Sequence, residues 1–563
     1  MTATHPAASR GLVAVLIALF AIAWFAGIGA RRLVHPDEGR YAEIAREMAA
    51  SGDWVTPRLN GLKYFEKPPL QYWMTAAAFR ALGVHEWTAR LWPALVSFAA
   101  VLFIGYTGLR LGGPPLGLAA GAALGGSAWF VVNSHFLSLD AGLASFLGIA
   151  LGAFLIAQRP EATTTERAGW MLAAWAAMAL ATLSKGPIGL VLPGGALVVY
   201  TLLQRDFALW RRLHLGRGLV VFAALCAPWF VLVARSNDEF LHFFFVHEHF
   251  QRFLTTTHRR IGAWWYFLPY LAAGLLPWLL VFVFGLRRLA TAGPRAGSGF
   301  SWQRFALAWS AFVLVFFSAS GSKLPSYILP MFPALALLVG FVLVAADLRW
   351  LARLNAALTL LAAVGAAALL LVDRPLLLRF GGEEAQLPSL LAYRTWLVCA
   401  LAISVAGGLV AWRAFARGGA GGRMLGIVAI ALAAALTFRV AETGFDAFRG
   451  TRSSYDLLAR AQAAHGPLAP DLPFFQVRMY DQTAPFYLRR TTTLVDFRDE
   501  LALGIDAEPH KAHATVADWQ SAWSALDQGY ALMSPAEAAR LAALGVPMRE
   551  LARDSRRVLV SRR

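Results

Sequence analysis

Charge is what this chain has least of. Only 15% of its 563 residues are Asp, Glu, Lys or Arg, against roughly 25% in a soluble globular protein. That shortage excludes an ordinary water-soluble enzyme. Cysteine is nearly absent too: Cys226 and Cys399 both sit inside apolar runs, so they read as packing residues and neither a disulfide framework nor a cysteine metal site is expected. RNP, zinc-finger and helix-turn-helix patterns are missing. The net charge of +18 is therefore assigned to arginines at the ends of apolar segments, where they meet anionic headgroups, and no nucleic-acid partner is expected. Nor is there an internal repeat with polar groups near a midplane, as transporters tend to show. Transport of a lipid-linked substrate stays as the non-enzymatic alternative.

What the chain has in quantity is apolar sequence, 58% of it. Runs of about twenty residues match a hydrocarbon core ~30 Å thick at ~1.5 Å per helical residue. Spanning segments are predicted near 11–30, 91–110, 114–134, 137–157, 170–184, 187–203, 217–234, 264–286, 303–319, 327–346, 352–372, 395–412 and 423–439, about thirteen in all. The first exceeds the roughly 7–15 residues of a signal-peptide core and is read as a retained helix. Arg110, Arg159, Arg167, Arg205, Arg211, Arg212, Arg287, Arg288, Arg295, Arg349, Arg413, Arg417 and Arg423 all fall on one side of this arrangement, with few acids among them, chiefly Glu161, Glu166, Asp206 and Asp347. The positive-inside rule makes that side cytoplasmic. Three loops (31–90, 235–262 and 373–394) and the tail are then external. The expected architecture is an all-α polytopic membrane bundle over 1–440 with a small soluble α/β domain over 441–563, embedded in membrane lipid.

The external loops hold the chemistry. The first reads His35-Pro-Asp-Glu-Gly-Arg-Tyr41 and later Tyr64-Phe-Glu-Lys-Pro-Pro-Leu70. Between them Tyr41, Ile44, Ala45 and Met48 make one helical stripe, with Arg40, Glu43 and Glu47 opposite. That pattern predicts a helix lying on the membrane surface, its apolar side against lipid or the bundle. Asp37 reads either as a helix cap or as a carboxylate presented at the boundary for acid–base or metal chemistry. Glu66 and Lys67 read either as a solvated turn before a proline-started helix or as site residues. Asp140 lies just inside the outer end of a span, where a carboxylate is costly unless paired or functional. Lys185 and Lys323 sit at tight external turns, where snorkelling is the ordinary fate of a lysine. The second loop adds His242, His247, Glu248, His249, Arg252 and His258 without a zinc-protease spacing. Carboxylates and cations together at headgroup depth suit a substrate with a phosphate at the surface and a lipid tail in the bilayer.

At Asp37-Glu-Gly-Arg-Tyr41, Tyr64-Phe-Glu-Lys-Pro-Pro-Leu70, Leu183-Ser-Lys-Gly-Pro187 and Ser322-Lys-Leu-Pro-Ser-Tyr327 the chain resembles the membrane glycosyltransferases that use polyprenyl-phosphate sugars, the protein O-mannosyltransferase superfamily. Within it the likeness is greatest to the bacterial lipid A 4-amino-4-deoxy-L-arabinose transferases. The resemblance implies a GT-C fold and inverting transfer on the periplasmic face, from undecaprenyl-phosphate aminoarabinose to a lipid A phosphate. It implies Asp37 as principal catalytic carboxylate, with Asp140 beside it. Lys67 and Arg252 would grip the donor phosphate, supported by Arg40, Lys185 and Lys323. Tyr41, Tyr64 and Tyr327 would line the donor cavity, and Glu66 with His247 could hold a divalent metal ion. No other cofactor is expected. A sister activity, moving a hexose or uronic acid onto a core sugar or a protein, would need Asp37 as a true general base. The tail carries no catalytic signature, and its expected task is to cap the cavity or help dock the acceptor.

Overall fold

The computed structural model describes residues 6–251, 262–294, 299–379 and 384–562. Every predicted span falls on a helix, but several are interrupted where the sequence demands it. One helical run, Glu86–Gly125, is really two helices joined at Gly112 and Gly113. Gly113 has φ +79°, a conformation glycine adopts without cost, and Pro114 and Pro115 open the second helix. The two then pack backbone to backbone: a Cβ on Gly117 would lie 2.8 Å from the Gly105 carbonyl oxygen. Small residues at such crossings let membrane helices approach closely. The segment predicted at 264–286 is a bent pair, Phe267–Gly274 and Leu279–Thr291, at 103°.

By length and hydropathy eight described helices can cross a bilayer, or nine with the bent pair. The rest of the predicted thirteen are shorter (Ala14–Phe25, Ile188–Gln204), arise from the kinked run, or carry charge in their end turns, as Thr164–Lys185 does. Leu139–Ala157 runs through the middle of the bundle and is buried along nearly its whole length, whereas Leu348–Leu370 is hardly buried at all. The apolar surface of that peripheral helix faces lipid. The kinked run also measures the slab. Near its start Arg90 binds Glu38, and twenty residues on, about 30 Å of helix, Arg110 and Arg159 pair with Glu166.

The soluble domain carries a six-stranded sheet in the order β5-β4-β3-β6-β8-β7, with β3 Phe474–Val477, β4 Thr493–Val495, β5 Ala512–His513, β6 Tyr530–Met533, β7 Arg549–Arg553 and β8 Val558–Ser561. Pairings among β3 to β6 are parallel, and β8 runs antiparallel to both β6 and β7. Phe475, Val477, Trp519, Trp523 and Val560 form the core on one face. A two-stranded hairpin in the first loop, β1 Arg58–Leu59 with β2 Leu62–Lys63, reaches up to this domain. Asn60 there exchanges two hydrogen bonds of 2.7 Å with the Thr492 backbone.

One expectation needs correcting. The helix predicted to lie on the membrane surface, Asp37–Ser51, is covered on both sides. Its apolar stripe packs against Tyr64, Tyr72 and Phe79. Its acidic face is buried as well: Glu43 is forked by Arg46 at 2.6 and 2.7 Å, and Glu47 accepts the Gly61 N–H at 2.8 Å. Burial, aided by the Glu43 charge, pushes the Glu47 carboxyl up to about 8. The soluble domain supplies the cover. Gly39 sits so close to it that a Cβ would lie 2.7 Å from the Gln482 carbonyl and the Thr483 nitrogen. Neither side is flexible, so Gly39→Ala is expected to part the helix from the domain. Faster tryptic release of the soluble domain, with at least tenfold lower activity, is the outcome that checks this contact.

Candidate active site at the membrane boundary

A cavity of about 830 Å³ lies where the membrane helices meet the soluble domain. Its walls bring together segments far apart in sequence. The first turn of Asp37–Ser51 contributes Asp37, Arg40 and Tyr41, and the turn before Leu70–Leu82 contributes Glu66 and Lys67. Asp140, Lys185, Ser326 and Tyr327 come from three further segments, and Asp499, Glu500 and Asp506 form a roof.

Asp37 does not cap its helix. The cap position belongs to Pro36, and no side-chain cap is made. The Asp37 carboxylate instead faces the cavity 44% exposed and accepts a 3.1 Å bond from Arg40. Its neighbour Glu38 points the other way and is wholly buried. Arg31 donates to it at 2.6 and 3.0 Å and Arg90 at 2.8 and 2.9 Å, with the Val34 and Leu137 N–H groups at 3.2 and 3.1 Å. Burial opposes ionisation there, but the two guanidiniums prevail and hold the Glu38 carboxyl down to about 2. One acid is thus presented to a ligand and the next is an anchor.

Arg40 pairs with Glu500 of the roof as well as with Asp37, and its Nε has no hydrogen-bond partner among the described residues. Lys67 donates to the Glu66 carbonyl at 2.7 Å, on a turn stiffened by Pro68 and Pro69. Asp140 is paired with Lys185 and accepts the Ser326 hydroxyl at 3.0 Å. The Lys185 ammonium lies 4.8 Å from the centre of the Tyr327 ring, within cation–π range. A carboxylate near the end of a span is tolerable because it is neutralised in this way.

Two predicted residues stand elsewhere. Lys323 is 8% exposed and donates to the Ser318 and Ser320 carbonyls at 2.9 and 3.1 Å. It closes the end of Trp302–Ala319, as cations do at helix C-termini, and is not on the cavity wall. Tyr64 is buried in the cluster with Tyr41 and Tyr72 behind that wall. Burial pushes its hydroxyl well above the usual range. Arg252 and the His247 side chain lie outside the described residues. Among the described residues no three His, Cys, Asp or Glu side chains converge on a common point; Glu66 lies on the cavity wall, and its expected partner His247 is not among the described side chains. The roof acids escape sequence reading, for the segment around 500 has no motif to mark it, and Ser326 is given no role of its own although it lies inside the Ser322–Tyr327 motif.

Comparison with known proteins agrees with this layout. A family model of dolichyl-phosphate-mannose-protein mannosyltransferases matches residues 9–250, and one of aminoarabinose transferase C-terminal domains matches 460–562. Undecaprenyl phosphate-alpha-4-amino-4-deoxy-L-arabinose arabinosyl transferases of Edwardsiella ictaluri and Pseudomonas aeruginosa are 32% and 33% identical over 368 and 339 residues. These stretches are 64% and 60% of this chain and 65% and 60% of those proteins, so each match spans under two thirds of its relative. The crystal structure of ArnT from Cupriavidus metallidurans bound to undecaprenyl phosphate superposes with a TM-score of 0.90 at 38% identity, over 98% of both chains. The chain belongs to the ArnT family. The apo form of the same ArnT gives 0.89 at 37% identity. An ArnT-like GT-C bundle with an α/β cap is therefore the architecture of this multi-pass membrane protein, as the apolar runs and the loop motifs imply.

Proposed function

We propose that this protein transfers 4-amino-4-deoxy-L-arabinose from undecaprenyl phosphate to a phosphate of lipid A, with inversion, at the periplasmic face of the bacterial inner membrane. The observation that carries the reading is the cavity itself. Cations and carboxylates share one wall at the boundary between apolar helices and a soluble roof, in a chain that aligns end to end with an ArnT. A lipid-linked sugar phosphate needs that boundary, because its tail belongs in the bilayer and its headgroup in water.

The acceptor phosphate oxygen attacks the anomeric carbon as the bond from that carbon to the undecaprenyl phosphate oxygen breaks. Undecaprenyl phosphate leaves with the electron pair. Lipid A phosphate is already anionic, so Asp37 need not remove a proton. Its exposed carboxylate orients the acceptor complex and stabilises positive charge developing at the sugar carbon. Lys67, and Arg252 from the second loop, hold the donor phosphate. Lys185 is neutralised by Asp140 and acts as a fixed, oriented group. Lys67→Ala is accordingly expected to raise the apparent KM for donor about tenfold or more; an unchanged KM removes Lys67 from the phosphate site.

The test is a reconstituted transfer with purified protein, synthetic undecaprenyl-phosphate aminoarabinose and lipid A. Formation of aminopentosyl lipid A with release of undecaprenyl phosphate supports the proposal. Transfer only to core sugars or to protein would replace the acceptor and require Asp37 to act as a base.

A further inference from the structure

The cavity is more acidic than phosphate substrates call for. Among the described residues six carboxylates and three cationic side chains line it, although both reactants of the proposed transfer bring negative charge. Most of the acids are accounted for. Asp140 has Lys185, Glu500 has Arg40 and Gln482, and Asp506 has Arg498. Asp499 differs. It sits exposed on the roof, and its carboxylate makes no hydrogen bond or ion pair among the described residues.

A second, independent feature points to a polar ligand in the same space. Ser138 is 7% exposed and lines the cavity, yet its hydroxyl has no hydrogen-bond partner among the described residues. Buried hydroxyls are ordinarily hydrogen-bonded, and this one belongs to a residue of the cavity wall, where a polar group of a ligand is the partner at hand. Among the described residues no three ligating side chains converge there, as an inorganic cation would need. An ammonium mounted on a sugar ring needs no such convergence. A primary amine is protonated near neutral pH, and a single carboxylate facing it makes a charge-assisted hydrogen bond.

We propose that Asp499 of the soluble domain recognises the amino group of the donor sugar, making the roof the element that selects an aminosugar. The inference rests on the donor named above being an aminopentose. It assigns selectivity to the soluble domain and leaves the transfer chemistry to the membrane domain.

The experiment compares two donors on the full chain in detergent with lipid A as acceptor. One is undecaprenyl-phosphate aminoarabinose. The other carries a hydroxyl at position four and is read as a competitor through its Ki. Asp499→Asn is expected to raise the KM of the aminated donor about tenfold while the Ki of the hydroxyl donor stays within about twofold. Asp499→Glu, which keeps the charge, is expected to recover most of the loss. Parallel weakening of both donors overturns the proposal and makes Asp499 a structural part of the roof. So does an unchanged KM in Asp499→Asn. A wild type that ignores the aminated donor but uses another polyprenyl-linked sugar refutes the donor reading instead, and is distinguished by the wild-type assay alone.

Discussion

Asp37→Asn is expected to slow sugar transfer at least a hundredfold, the order associated with losing a positioned acid–base or charge-stabilising group, while the protein still inserts and melts as the wild type does. The structure separates those two effects. The carboxylate caps nothing, is 44% exposed, and among the described residues has one ion-pair partner, Arg40, which keeps Glu500 when Asp37 is neutralised. An amide of the same shape therefore leaves the fold alone and removes only charge directed into the cavity. Initial rates at saturating donor, with a melting curve in the same detergent, check both halves. A variant that transfers at the wild-type rate returns Asp37 to the surface. A variant that melts far earlier makes it structural.

Its neighbour should behave in the opposite way. Glu38→Ala is expected to cost about 3–5 kcal/mol, as removing one partner of a buried ion pair does, and so to leave little folded protein in the membrane. Arg31 and Arg90 lie 4% and 1% exposed and would keep their charges with, among the described residues, no counter-ion between them except Glu442, which already pairs with Arg31. Acid is a poor imitation of this mutation. The Glu38 carboxyl is held down to about 2, so its stabilisation is complete above the ordinary carboxylate range. It is lost only as pH falls through the folded value. Folded yield measured by fluorescence-detected size exclusion at pH 7 and pH 5 should show wild type unaffected and Glu38→Ala poor at both. Normal yield of Glu38→Ala would deny the anchor.

The bundle was legible because apolar runs of bilayer length leave a chain few alternatives. Asp140 is legible for a related reason: a charged side chain at the end of such a run is costly enough to demand a partner or a task. The two Ser-Lys turns show where that reasoning stops. Lys185 meets Asp140, whereas Lys323 is captured by two carbonyls of its own turn. Nothing local in sequence distinguishes them, because the deciding partner is over forty residues away in one case and within five in the other. The Asp37–Ser51 helix was misread as a surface helix for a similar reason. Its polar face looks made for water, but Arg46, the Gly61 amide and the soluble domain stand where water would be. The roof is invisible in the sequence, since Asp499 and Glu500 meet the cavity through residues more than four hundred positions away, as Glu500 meets Arg40. Gly39 carries a signal of its own, since a glycine inside an otherwise good helix is a hint of close approach.

The most direct test is mass spectrometry of lipid A from a strain lacking its own transferase, complemented with wild type or with Asp37→Asn. The account predicts a mass increment of one aminopentose per modified phosphate with the wild type and none with the variant at equal protein level. Unmodified lipid A in the wild-type complement, with the protein present in the membrane, would contradict it.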